Sequence, residues 1–311
     1  MPRKLISFDW ALKRLLRSKA NFGILEGFLS ELLFEDITIL EILESESNKA
    51  TYDDKSNRID IKVKNHKEEI VLIEIQYGRE LDYMQRMLYG TSKVISEHIK
   101  EGDSYAKIVK VISINILYFD FGDGDDYIYK GTTTFRGMHN NSILKLNPKQ
   151  EELYKTNQID KIYPEYYVIK VNNFNAIAKD RLDEWIYFLK TEEILTNFQA
   201  KGLEKAKEVL DYLKMSQEEQ KSYEAFKQHL HDQASAWEGT YVIGKLEGVR
   251  EGIEIGVEQG IGIGIEQGIE QGMKQKELEI AKKSLQKGLD TQTIMMITTL
   301  SKEEMEGLKY R

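Results

Sequence analysis

The chain of 311 residues contains no cysteine, which excludes disulfides and thiolate metal sites. A reducing, cytoplasmic setting is the matching expectation. Prolines stand only at 2, 148 and 164, so the helical segments from residue 175 onward carry no proline break. No stretch approaches the roughly 18 apolar residues of a membrane span. The basic opening, MPRKLISFDWALKRLL, is interrupted by Asp9, Lys13, Arg14 and Arg17 and is not the apolar core of a signal peptide. The net charge of -8 excludes nucleic-acid binding through the global field, so any such contact must use a local patch.

What is present reads as a mixed α/β protein. Residues 8 to 34 show helical spacing, with Leu12, Leu15 and Leu16 forming one apolar stripe and Phe22, Leu25, Leu29, Leu32 and Leu33 another. Strand-like runs follow at 37–43, 58–64, 70–76 and 107–120, with a helical stretch at 79–100 between the last two. FGDGDD at 121–126 is a turn. Residues 127–147 and 161–172 are expected to be further strands, with helices from RLDEWIYFLK (181–190) to about 238. This order predicts an α/β fold with a mixed central sheet flanked by helices and a helical C-terminal extension.

The stretch RIDIKVKNHKEEIVLIEIQ, residues 58–76, sets carboxylates inside aliphatic strands, where they are unfavourable. Pairing 58–64 with 70–76 around the loop NHKEE puts Val63 opposite Val71, Ile61 opposite Ile73 and Ile59 opposite Ile75. The aliphatics then share one buried face. The other face carries Asp60 opposite Glu74 and Arg58 opposite Gln76. Like charges across a ladder repel, and a hard divalent cation between them converts repulsion into binding. The Ile75 backbone carbonyl is a natural third oxygen. The alternative is a solvated polar face on which Lys62 and Lys64 neutralise the acids.

Asp60 followed by Glu74-Ile75-Gln76 resembles the active-site signature of the PD-(D/E)XK nuclease superfamily. FDWALKRLL, IEIQYGRELDYMQRMLYGTSKVI, DSYAKIVKVISINILYFDF and RLDEWIYFLKT are similar, in order, to segments of its recombination-promoting nucleases and putative transposases. The resemblance covers roughly residues 8 to 200. It implies a restriction-endonuclease-like core and a Mg²⁺-dependent DNA endonuclease, with Mn²⁺ as a substitute ion, in recombination or mobile-element traffic. Asp60 and Glu74 would hold the metal. Gln76 stands where the superfamily has lysine, and Ile59 where it has proline. Arg86 and Tyr89 match the arginine and tyrosine of the helix after the motif; Asp9 and Lys13 match the acid and base of the first helix.

Gln76 has no useful proton affinity, so it orients water through its carbonyl or donates its NH₂ to phosphate. Tyr83, Arg86 and Tyr89 are spaced three apart, so each neighbouring pair shares a helix face, and the tyrosines are candidates to stack on or donate to DNA. Arg86 is a candidate phosphate fork, or else an ion-pair partner of Asp82 or Glu80. The first 20 residues hold six cations against the single acid Asp9. Lys13, Arg14 and Arg17 there are candidate DNA contacts, with an ordinary solvated helix face as the alternative. The five histidines show no zinc spacing.

From Gly244 to Gly272 a glycine recurs every fourth residue, with Gly262 as an extra. The stretch is read as a helix used for homo-oligomer formation or as a flexible tether. KQKELEIAKKSLQKGL should be a helix ending near Gly288. TQTIMMITTLSKEEMEGLK reads as two short helices, with Ser301 and Glu304 at capping-box spacing. A helix-turn-helix reader is the weaker reading of this short, non-basic tail, and packing or oligomer contact the stronger. Residues 1–175 are expected to form the nuclease-like core, 176–240 a helical subdomain completing it, 241–274 the glycine repeat and 275–311 the tail. The rival to the nuclease reading is a catalytically inactive DNA-binding or oligomeric scaffold that keeps the fold.

Overall fold

The computed structural model describes residues 5–14, 18–43 and 60–309. Two compact units divide between Trp237 and Glu238. In the first, the helical stretch at the start is two helices, α1 (Phe8–Arg14) and α2 (Phe22–Leu33). α2 ends where Phe34 adopts a left-handed conformation, φ 54°, whose N–H caps the Ser30 carbonyl. Leu12, Leu25, Leu29 and Leu32 are fully buried, as their spacing demands.

The six-stranded sheet runs β1 (Ile39–Leu43), β2 (Ile61–Asn65), β3 (Ile70–Gln76), β4 (Val111–Leu117), β6 (Glu165–Lys170), β5 (Ile128–Gly131). β1–β2, β2–β3 and β5–β6 are antiparallel; β3–β4 and β4–β6 are parallel. Parallel neighbours need a crossover, and α3 (Tyr83–His98) supplies the one between β3 and β4. The β2–β3 register is Val63↔Val71 and Ile61↔Ile73. The expected partner pairs of Arg58 and Ile59 lie outside the described residues.

The hairpin turn is organised by Asn65, whose side-chain oxygen accepts from the backbone of Lys67 (3.0 Å) and Glu69 (2.9 Å). Both faces of the central strands β3 and β4 are buried. Ile61, Val63, Val71, Ile73 and Ile75 join α1, α2 and α5 (Arg181–Thr191) in the main core, centred on Phe8, Phe28, Trp185 and Phe188. On the opposite face, Ile70, Leu72 and Val111 pack under Val94 of α3, and Leu117 under Tyr83 and Met87. The face expected to be polar is therefore a second core. β3 is apolar at every position from Ile70 to Ile73, as a strand covered on both sides should be.

The strand expected across 127–147 is shorter. β5 takes four residues, and the chain then forms α4 (Pro148–Tyr154), which begins with a full Asn147–Gln150 capping box. α2 packs on α5 and α6 (Leu203–Val209). Gly27 makes that possible, since a Cβ there would lie 2.1 Å from the Lys201 carbonyl oxygen.

α7 (Gln217–Gln286) begins in the first unit and continues through the second, and the glycine repeat lies within it as helix. In the second unit, Ala281 of α7, Ile294 of α8 (Thr291–Ile297), Leu300 and Met305 of α9 (Lys302–Lys309) form a small core. The Ser301–Glu304 capping box forms in both directions, at 2.8 and 3.3 Å. No helix among the described residues is long and apolar enough to cross a membrane.

Candidate active site

The two carboxylates of the hairpin meet at the C-terminal end of β3. Asp60 sits one residue before β2 and accepts a hydrogen bond from the backbone N–H of Ile75 at 2.7 Å. In a strand, one residue's N–H and C=O point the same way. The Ile75 carbonyl is therefore directed to the Asp60 side, while the Gln76 carbonyl takes the Tyr118 N–H of the β4 side at 2.9 Å. Glu74 projects on the α3 face and is only 7% exposed. Burial pushes its carboxyl up to about 7. The Arg86 guanidinium opposes that rise, and the charges of Asp60 and Glu80 add to it.

Arg86, one turn into α3, ties the site together. Its Nη2 donates to Glu74, and its Nη1 donates to Glu80 Oε1 and Oε2 at 2.7 and 3.0 Å. Burial works against the Arg86 charge, but these two acids outweigh it and raise its pKa. Gln76 joins the same network, its Nε2 donating to Glu80 Oε1 at 2.9 Å and to the Gly78 carbonyl at 3.3 Å. Glu80 thus links two candidate site residues. Sequence spacing named it only as an ion-pair partner of Arg86. Residues 77–82 connect β3 to α3 and have no helical period that would bring Gln76, Glu80 and Arg86 together.

Tyr83 is fully buried, and its hydroxyl donates to Asn115 Oδ1 at 3.1 Å. Asn115 in turn donates to Ser113 Oγ (3.0 Å) and the Tyr167 carbonyl (3.2 Å). Burial, then the Glu74 charge, holds the Tyr83 hydroxyl well above its ordinary pKa. Its ring is inaccessible to substrate, which corrects the expectation that it stacks on or donates to DNA; Tyr89 is 42% exposed. Lys62 and Lys64 do not neutralise the site acids. They pair instead with Glu97 (3.2 Å) and Glu41 (2.8 Å).

Asp9 is 1% exposed and lies among the groups of the other sheet face. There its charge adds to burial in raising the hydroxyls of Tyr77 and Tyr118, whose rings stack at 4.3 Å. The side chains of Lys13 and Arg14, and all of Arg17, lie outside the described residues.

Two carboxylates on neighbouring strands with a carbonyl between them are the oxygen donors that a hard cation such as Mg²⁺ prefers. The residues present fit such an ion, although in this structure Arg86 engages Glu74. Among the described residues no group of three or more His, Asp or Glu side chains has metal-binding geometry, so the set would be completed by backbone, amide or water oxygens. A cavity of about 10 Å³ lined by Leu72, Glu74, Arg86, Thr91 and Ser113 has room for about one water.

A family profile described as PD-(D/E)XK nuclease family transposase matches residues 6–240. The chain belongs to this family. A second profile, the C-terminal HTH domain of the Rpn/YhgA-like nuclease family, matches residues 274–309. No curated protein and no solved structure matches the chain. The second match corrects the preference for a packing or oligomer-contact tail. That preference weighed the tail's low charge, whereas a helix-turn-helix domain is defined by short helices set around a turn on a small core, which α7, α8 and α9 provide.

Proposed function

We propose that the protein is a divalent-metal-dependent DNA endonuclease that hydrolyses phosphodiester bonds in recombination or mobile-element traffic. The observation that carries this reading is the meeting of Asp60 and Glu74 at the end of β3, with the Ile75 carbonyl directed between the strands. Asp60, Glu74 and the Ile75 carbonyl would hold Mg²⁺ or Mn²⁺. When bound, such an ion supplies an activated water and charge stabilisation at phosphate.

Arg86 is the phosphate fork of the site. Glu74 and Glu80 pre-orient its guanidinium, and phosphate competes with them for its N–H groups. Tyr89, exposed one turn further along α3, extends this contact surface. Lys13, Arg14 and Arg17 add phosphate contacts from the basic N-terminal stretch of the sequence, and the C-terminal helix-turn-helix domain is a second DNA-binding element.

Plasmid DNA incubated with the protein and Mg²⁺ is the direct test. Wild type should nick or linearise it. Asp60→Ala and Glu74→Ala should each lower the rate by on the order of 10³-fold or more, and EDTA should do the same. Both variants cutting at the wild-type rate would remove the site assignment. Wild type that binds DNA but never cuts it favours the scaffold reading.

A further inference from the structure

Gln76 occupies the position where related nucleases carry a cationic lysine, and its amide has two ends of opposite character. The donor end is committed. Gln76 Nε2 lies 2.9 Å from Glu80 Oε1 and 3.3 Å from the Gly78 carbonyl oxygen. Both partners are acceptors only, so exchanging the amide's oxygen and nitrogen would set oxygen against oxygen twice. The orientation is therefore fixed by chemistry. The amide oxygen accepts no hydrogen bond from any described residue, and it is the end left for a ligand.

Glu80 is itself held. Arg86 grips both of its oxygens, at 2.7 and 3.0 Å, while its other arm holds Glu74, so the carboxylate that orients Gln76 is indexed to the carboxylate of the candidate metal pair. A lysine at 76 behaves differently. An ammonium has donors and no acceptor, and Glu80 with the Gly78 carbonyl would capture it.

We propose that Glu80 is a positioning residue that fixes Gln76 as an oxygen donor toward the Asp60–Glu74 site, so that Gln76 serves as an acceptor for a cation or its water and does not replace the missing lysine charge. This rests on the metal-dependent nuclease reading above.

The test compares wild type with Q76K, E80A, Q76E and the exchange Q76E/E80Q, using three readouts. The first needs no metal: the side-chain NH₂ protons of Gln76, assigned by their absence in Q76E, should exchange with water more slowly in wild type than in E80A. The second is Mn²⁺ binding, followed by the electron spin resonance of the free ion. The third is plasmid cleavage.

Q76K should lose about 10–100-fold in Mn²⁺ affinity and in cleavage, as removal of an outer ligand support does. Q76E loses its donor and faces Glu80 with like charge. In Q76E/E80Q the amide at 80 donates to the carboxylate at 76, restoring Mn²⁺ binding to at least the wild-type level. Q76K that matches wild type in Mn²⁺ affinity and cutting, or Gln76 protons that exchange equally fast in wild type and E80A, would overturn the assignment of Glu80. Wild type that neither binds Mn²⁺ nor cuts DNA would sink the nuclease reading, and this proposal with it.

Discussion

Gly27 in α2 and Gly256 in α7 are both interior helix glycines, and each costs about 0.8–1.0 kcal/mol relative to alanine. At Gly27 the cost is offset by packing, since a Cβ would run into the Lys201 carbonyl and the Gly202 Cα. At Gly256, and at each of the other ladder glycines, no atom beyond the adjoining helix backbone and chain neighbours lies within 4 Å of a would-be Cβ. Around them Ile253, Ile255, Ile261 and Ile265 are more than half exposed. The same departure from helix preference is thus explained by a partner in one helix and has none among the described residues in the other. Glu74 belongs with Gly27: a carboxylate in an apolar strand breaks a local rule, and Arg86 is the partner that offsets it.

The strongest way to break this contrast is to replace all eight ladder glycines by alanine. If nothing covers the stripe, helix stability there should rise by about 6–8 kcal/mol in total. Circular dichroism at 222 nm should then report a higher melting point for the helical signal. A fall in melting point together with a fall in mass in solution would show that a second chain packs on the glycines, as the homo-oligomer reading requires.

Next in size is Glu74→Gln in metal-free protein. The folded carboxyl titrates near 7, above its ordinary 4.5, so its ionisation destabilises the fold. The stability it contributes is complete below about pH 4.5 and is lost as pH rises to about 7. Glu74→Gln should therefore stabilise by up to about 3 kcal/mol at pH 8 and by little at pH 4.5, while removing cleavage. Urea unfolding at the two pH values measures this, and an equal effect at both would contradict it.

Gly27→Ala should destabilise by about 2 kcal/mol, opposite in sign to the ladder series, with a lower urea midpoint as the readout. Smallest is Ser301→Ala, which removes the α9 cap and should cost about 1 kcal/mol, confined to the melting of the second unit.

Much of the hairpin was legible because strand alternation has a period of two. Val63, Val71, Ile61 and Ile73 match in only one register, and that register puts Asp60 next to Glu74. The burial of the second face was also written in the unbroken apolar run from Ile70 to Ile73, but the alternation in β2 pointed to a solvated face. Near residue 147, β-branched and aromatic residues from Ile128 to Phe135 outweighed a short and specific signal. Asn147, Pro148 and Gln150 are a cap, a first-turn proline and a capping-box partner. Glu80 was recognised only as a neighbour of Arg86, because its hold on Gln76 depends on the path of the β3–α3 connection. The burial of Tyr83 was hidden for a related reason: only the placement of β4 brings Asn115 beneath it.

The sheet mixes pairings of very different sequence separation. Lys64 and Ile70 are partners across six residues, whereas Ile112 and Glu165 pair across 53. Loop closure favours the short connection, so the hairpin bearing both acids is expected to assemble early and β6 to dock late. During refolding the two carboxylates would then be neighbours before α3 and Arg86 arrive, and a divalent salt added at that moment should speed the slow phase by easing their repulsion.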